Sequence, residues 1–106
     1  MRVAVAVLFP GQGAQKPGMG LPWRDHLSWQ VVERAEAALG EPVGELLVDA
    51  PDEALASTRN AQLAVLLTSL VAWEAVRPAI DAPVAVAGHS LGQLTALVAA
   101  GVLGLE

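Results

Sequence analysis

Near the carboxyl end, Gly88-His89-Ser90-Leu91-Gly92 forms a G-x-S-x-G pattern. It sits where the strand-forming run Val84 to Ala87 meets a helical run from Leu91 to Ala100, which Gly101 closes. A serine on a tight strand-to-helix turn projects its hydroxyl from the sheet edge, and glycines on both sides let the chain turn without clashes. The Leu91 amide then stands at a helix N-terminus, where unpaired N–H groups stabilise a developing oxyanion. Those are the parts of nucleophilic acyl transfer. The same five residues also suit a plain strand–helix turn that happens to contain a serine, and the flanking strand and helix weigh toward the nucleophile. A second segment, Phe9-Pro10-Gly11-Gln12-Gly13-Ala14-Gln15, directly follows the first strand-like run. Glycines on either side of Gln12 let the backbone pass close to another group while the amide is presented. Taken alone, the segment reads as an ordinary Gly/Pro turn.

The elements that must position these residues follow from apolar spacing. Val3 to Phe9, rich in valine and bounded by Pro10-Gly11, reads as a strand buried on both faces. Residues 10–20 hold four glycines and two prolines and form a long loop. From Leu27 to Leu39, Val31, Val32, Ala35 and Leu39 recur at helical spacing, and Gly40 ends the run. Pro42 to Ala50 suits a short helical turn, and Asp52 and Glu53 after Pro51 suit the positive end of another. Residues 60–77 make the strongest helix, with Asn60 as its cap and Pro78 after its end. This helix is apolar on nearly every side. The order strand, helices, strand, helix predicts an α/β fold with a parallel sheet. A segment with only two strands is expected to leave Leu63, Leu66, Leu67, Leu70, Val71 and Trp73 of one helix uncovered, with Leu94, Leu97 and Val98 of the other.

Composition narrows the function classes. The chain has 106 residues, 54% hydrophobic and only 16% charged, too little polar material to cover so small a body. The excess marks a piece of a larger fold and one domain at most. Net charge is −5, with Lys16 the single lysine and no basic run, which argues against nucleic acid. The absence of cysteine excludes disulfides, thiolate metal sites and a cysteine nucleophile. The apolar stretch Leu63 to Trp73 is broken by Thr68 and Ser69 and falls short of the ~20 residues of a membrane span. The amino-terminal apolar run fits a core strand better than a signal peptide, and a cytoplasmic setting is expected.

Together, FPGQGAQ and GHSLG resemble the malonyl-CoA:acyl-carrier-protein transacylases and the related acyltransferase domains of fatty-acid and polyketide synthases. MGLPW, TRNAQLAVLL and LTALVAAGVL add weaker agreement, and the resemblance spans essentially the whole chain. It implies the amino-terminal part of an α/β-hydrolase-like core. It also implies that Ser90 takes malonyl from coenzyme A and passes it to the phosphopantetheine thiol of an acyl-carrier protein. Gln12 matches the glutamine beside the oxyanion hole, and the Leu91 amide matches its backbone donor. Gln62 matches a glutamine near that pocket, though a solvent-facing helix residue is an equally open reading. Gly88, His89 and Gly92 shape the turn, with His89 a buried structural histidine pointing away from substrate. His26, in a polar stretch, reads as a surface residue. No metal and no cofactor are implied beyond the two thiol carriers.

Two positions depart from the family pattern: Gln93 stands where Glu usually follows GHSLG, and Leu63 where proline commonly follows the glutamine matched by Gln62. In the family the general-base histidine, its orienting partner and the arginine that pairs with the malonyl carboxylate lie beyond the position matching Glu106. A serine hydroxyl needs an adjacent base. Residues 1–106 are therefore expected to be the amino-terminal segment of a single, incomplete acyltransferase domain, inactive without the carboxyl-terminal part as its partner. The competing readings are a non-catalytic remnant acting as a binding or scaffold piece, and a minimal serine esterase with an unexpected base.

Overall fold

The structure is a computed structural model that describes residues 6–79, 85–88 and 92–99. Two short runs of strand formers pair in parallel: β1 (Ala6–Phe9) and β2 (Ala85–Gly88), in the register Ala6↔Ala85 through Phe9↔Gly88. Between them run helices α1 (Gln30–Leu39), α2 (Glu45–Val48), α3 (Asp52–Leu55) and α4 (Thr58–Val76), and α5 (Gly92–Ala99) follows β2. Parallel strands need a long crossover, and the four intervening helices supply it. The expected α/β class and parallel pairing are both present. Of the expected first strand, Val3 to Val5 lie outside the described residues, as do Val84, Leu91, Ala100 and Gly101 at the ends of the later elements.

The strand alternates rather than being buried on both faces. Phe9 is 7% exposed and packs with Trp73, Ala96 and Val7, whereas Leu8 is 76% exposed. Side chains two apart share a face of a strand, and α4 and α5 cover only the Val7/Phe9 side. The helix expected from Leu27 begins as a 3-10 turn (Leu27–Trp29) before α1, and Gly40 ends it with φ 70°. The loop before it is tied down where Gly20 N–H donates to the Leu47 carbonyl at 2.7 Å.

The helix-forming run before Pro78 begins earlier than its apolar pattern suggests. Ser57, not Asn60, is the cap of α4: its backbone is extended, and its hydroxyl accepts from Asn60 N–H at 3.2 Å. A capping oxygen stands two or three residues before the N–H it serves. Asn60 therefore falls inside the first turn, and its side-chain amide donates to the Ala54 carbonyl at 2.9 Å.

The expectation that α4 stays uncovered is also corrected. Leu67, Leu70, Val71 and Trp73 are buried, and Leu63 and Leu66 are partly buried against the main core. The reason lies in residues 42–55, which condense into α2 and α3 and lay Val43, Leu47 and Leu55 against the rest of the core. Helix α1 adds Val31 and Val32 to the same core, and α5 packs on α4 from the sheet side. Val98 of α5 packs on this core, while the side chains of Leu94 and Leu97 lie outside those described. Because the start of α4 depends on one hydroxyl, Ser57→Ala should lower unfolding free energy by about 1 kcal/mol. Urea denaturation followed by circular dichroism checks this, and an unchanged midpoint would show that the hydroxyl does not set the helix start.

Candidate active site

Phe9 and Gly88 occupy the same rung of the parallel ladder, so the FPGQG loop and the serine turn leave the same edge of the sheet. The carboxyl ends of parallel strands are where open α/β sheets bind ligands. Ser90, His89 and Leu91 lie outside the described residues, but the glycines that bracket them do not. A β-carbon on Gly88 would overlap the Gly92 carbonyl and come within 2.6 Å of Gln93 N. One on Gly92 would overlap the Phe9 carbonyl oxygen and lie 2.8 Å from the Pro10 oxygen. Only residues without a side chain allow β2 to pass into α5 within this space. The same packing presses the start of α5 against the first residues of the FPGQG loop.

In that loop Gly11 is buried and Gln12 exposed. Neither residues 6–15 nor residues 85–99 contain an Asp, Glu, Lys or Arg. Neither segment therefore brings a side-chain charge to this edge, where α5 begins against the Phe9 and Pro10 carbonyls. Gln93, where the family usually has Glu, is exposed. Beside β1 opens an apolar groove of about 390 Å³ lined by Val7, Phe9, Pro10, Ala14, Trp23 and Trp73 among others. Its wall is braced by Phe9 and Trp73, whose rings meet edge to face at 6.1 Å.

Gln62 is exposed on α4 and borders a shallow concavity with Leu39, Arg59, Leu63 and Leu66, on the α1 side of that helix. His26 is exposed, as expected. Its Nδ1 accepts from Ser28 N–H at 3.0 Å, so the ring caps the 3-10 turn before α1. Among the described residues no three His, Asp or Glu side chains gather as metal ligands would, and no helix is long and apolar enough to cross a membrane.

Residues 7–106 match the family model described as the acyl transferase domain. The chain belongs to the acyl transferase domain family. It is 42% identical over 105 residues to a malonyl CoA-acyl carrier protein transacylase of Bacillus subtilis, an alignment covering 96% of this chain and 26% of that protein. Its fold superposes on a solved acyl-carrier-protein S-malonyltransferase of Burkholderia pseudomallei with a TM-score of 0.89 at 38% identity, over 97% of this chain and 34% of that one. It superposes equally fully, with a TM-score of 0.85 at 36% identity, on a malonyl-transacylase solved in complex with a type II PKS acyl-carrier protein, again over 97% of this chain and 34% of that one. The acyl transferase segment thus spans between about a quarter and a third of the length of these relatives.

Sequence reasoning found both glycines of the serine turn but not what Gly92 abuts. The Phe9 and Pro10 carbonyls arrive from a strand far away in sequence, and no local pattern announces them. It also gave Gln15 no role, though its side chain folds back onto the loop it follows. Gly88→Ala and Gly92→Ala should each destabilise by at least the roughly 1–3 kcal/mol typical of overpacking, since the obstruction is backbone and cannot rotate away. Thermal and urea melts of both variants test this, and parental stability in either would mean that the strand, turn and helix are not so closely packed.

Proposed function

We propose that residues 1–106 are the amino-terminal segment of a single acyltransferase domain with an α/β-hydrolase-like core. The domain moves a malonyl group from coenzyme A to an acyl-carrier protein in fatty-acid or polyketide synthesis in the cytoplasm. The observation that carries this reading is the shared rung of Phe9 and Gly88, with Gly92 against the Phe9 carbonyl, in a chain that belongs to the acyl transferase domain family. The named relatives, a malonyl CoA-acyl carrier protein transacylase and a transacylase solved with its carrier protein, support the choice of substrate and partner.

In this mechanism Ser90 Oγ gives its proton to a general base and attacks the thioester carbonyl of malonyl-CoA. The Leu91 amide and Gln12 hold the oxyanion of the tetrahedral intermediate. Collapse breaks the C–S bond, coenzyme A leaves as its thiol with the proton returned by the base, and malonyl remains as an ester on Ser90. The carrier's phosphopantetheine thiol then attacks that ester and loses its proton to the same base; the Ser90 Oγ–C bond breaks, the base returns the proton to Oγ, and malonyl leaves as a thioester on the carrier. His26 caps its own turn and is not that base. The base comes from the carboxyl-terminal part of the domain, as the family resemblance implies, and that part also supplies the arginine that pairs with the malonyl carboxylate. No metal or further cofactor takes part. Gly88, His89 and Gly92 hold the turn, and Gln62, exposed on the α1 side of α4, fits the solvent-facing reading better than a place at the pocket.

Gln12 acts as a donor, since an amide takes up no proton at neutral pH. Loss of one oxyanion donor costs about 2.7–4 kcal/mol of transition-state stabilisation. With labelled malonyl-CoA and the carboxyl-terminal part of the domain supplied, Ser90→Ala should abolish covalent labelling of this chain. Gln12→Ala should slow single-turnover labelling by about 10²–10³-fold. Labelling of Ser90→Ala at the parental rate would move the nucleophile elsewhere. A Gln12→Ala rate within about twofold of the parent, well short of the loss of a donor, would leave the FPGQG loop a purely structural part.

A further inference from the structure

We propose that Gln15 is the positioning residue for Gln12, fixing the turn that carries it to the frame of the fold. The inference rests on the oxyanion-side reading of Gln12 and concerns what holds that residue in place.

Gln12 and Gly13 are the two central residues of a turn closed from Ala14 N–H to the Gly11 carbonyl at 3.3 Å. Gly13 has φ 113°, the positive sign that a type II turn demands at its third residue and that side-chain-bearing residues rarely adopt. The closing bond is long, and Gln12 and Gly13 are both solvent-exposed, so the turn by itself holds Gln12 weakly. Gln15 supplies the missing constraint. Its Oε1 accepts from Gly13 N–H at 2.7 Å, shorter than the bond that closes the turn. Its Nε2 reaches the Leu55 carbonyl at 3.5 Å.

This second contact is longer and weaker than the one to Gly13, but the carbonyl it reaches is itself well fixed. Leu55 ends α3, is 2% exposed and packs with Ala50 and Ala64. A four-residue helix leaves its last carbonyls without intrahelical partners. Asn60 Nδ2 serves the Ala54 carbonyl at 2.9 Å, and Gln15 serves the next one. The first turn of α4, the end of α3 and the loop carrying Gln12 are thereby linked through two side-chain amides. Only a side chain with both an acceptor and a donor bridges Gly13 N–H to the Leu55 carbonyl, and an amide of this length is such a group. A residue beside an oxyanion gains most of its effect from being held in position before the reaction, and a misplacement of about 1 Å costs on the order of 10²-fold.

The test is a double-mutant cycle on single-turnover malonylation of Ser90 in the complete acyltransferase domain, joined to amide hydrogen exchange at Gly13. Gln15→Ala should slow acylation on the order of 10–100-fold at an unchanged KM for malonyl-CoA. It should add little to the loss in a Gln12→Ala background, because both changes remove one function. Gln15→Met, of similar length but without either polar atom, should behave as Gln15→Ala, and both should expose the Gly13 amide to fast exchange. A parental rate for Gln15→Ala while Gln12→Ala is slow, equal slowing by Gln15→Ala in both backgrounds, or recovery in Gln15→Met would each overturn the proposal. A parental rate for Gln12→Ala would instead overturn the oxyanion-side reading, and the proposal with it. Loss of Gly13 protection in the Gln15 variants would show in that case that the hydrogen bond is real and only its purpose misassigned.

Discussion

Backbone meets backbone where α5 begins, and the space left there admits no β-carbon at Gly88 or Gly92. The rest of the arrangement depends on this contact. It brings the start of a helix against the carbonyls of Phe9 and Pro10, so the edge of the sheet, the FPGQG loop and the helix N-terminus share one small region. Phe9 serves twice: its carbonyl abuts Gly92, while its ring packs edge-on against Trp73 of α4. The serine turn is thus referenced to the main helix through a single residue. The nucleophile proposed for this turn needs that kind of reference, because acyl transfer is sensitive to displacements much smaller than a side chain.

Helix α4 is the other fixed body. Its apolar surface is divided between α1, α2 and α3 on one side and the sheet with α5 on the other. Among the described residues the Leu8 face of β1, 76% exposed, stays open, as does the groove beside it. Both adjoin the edge from which the FPGQG loop departs. Neither β1 with the FPGQG segment nor β2 with α5 carries an Asp, Glu, Lys or Arg, and ion pairs such as Arg59–Glu41 at 2.8 Å sit on the exposed surface, where each contributes little. The candidate site is therefore built from glycines, amides and helix termini rather than from side-chain charge.

Much of this was legible in the sequence, for identifiable reasons. Element type came through because Val-rich runs, helical apolar spacing and Gly or Pro stops are local signals, and β1, α1, α4, β2 and α5 all carry them. Burial came through less well, because it depends on partners. Leu8 reads like its neighbours in the strand but has nothing over it among the described residues, and α4 looks unaccompanied until residues 42–55 fold back with Val43, Leu47 and Leu55. The cap of α4 was misread by three residues because Ser57 and Asn60 are both good capping types, and only backbone geometry separates them. At the turn, the glycines stand out by pattern, whereas the contacts of Gly92 with Phe9 and of Gln15 with Leu55 join residues far apart in sequence. No motif encodes those.

The central claim is that the serine turn and the FPGQG loop together enclose the reacting carbonyl. A crystal structure of the complete domain trapped as its malonyl ester on Ser90 measures this directly. The account predicts the ester carbonyl oxygen within about 2.7–3.1 Å of the Leu91 amide nitrogen, with Gln12 on the same side of the oxygen. An ester oxygen turned toward solvent, away from both residues, would contradict it.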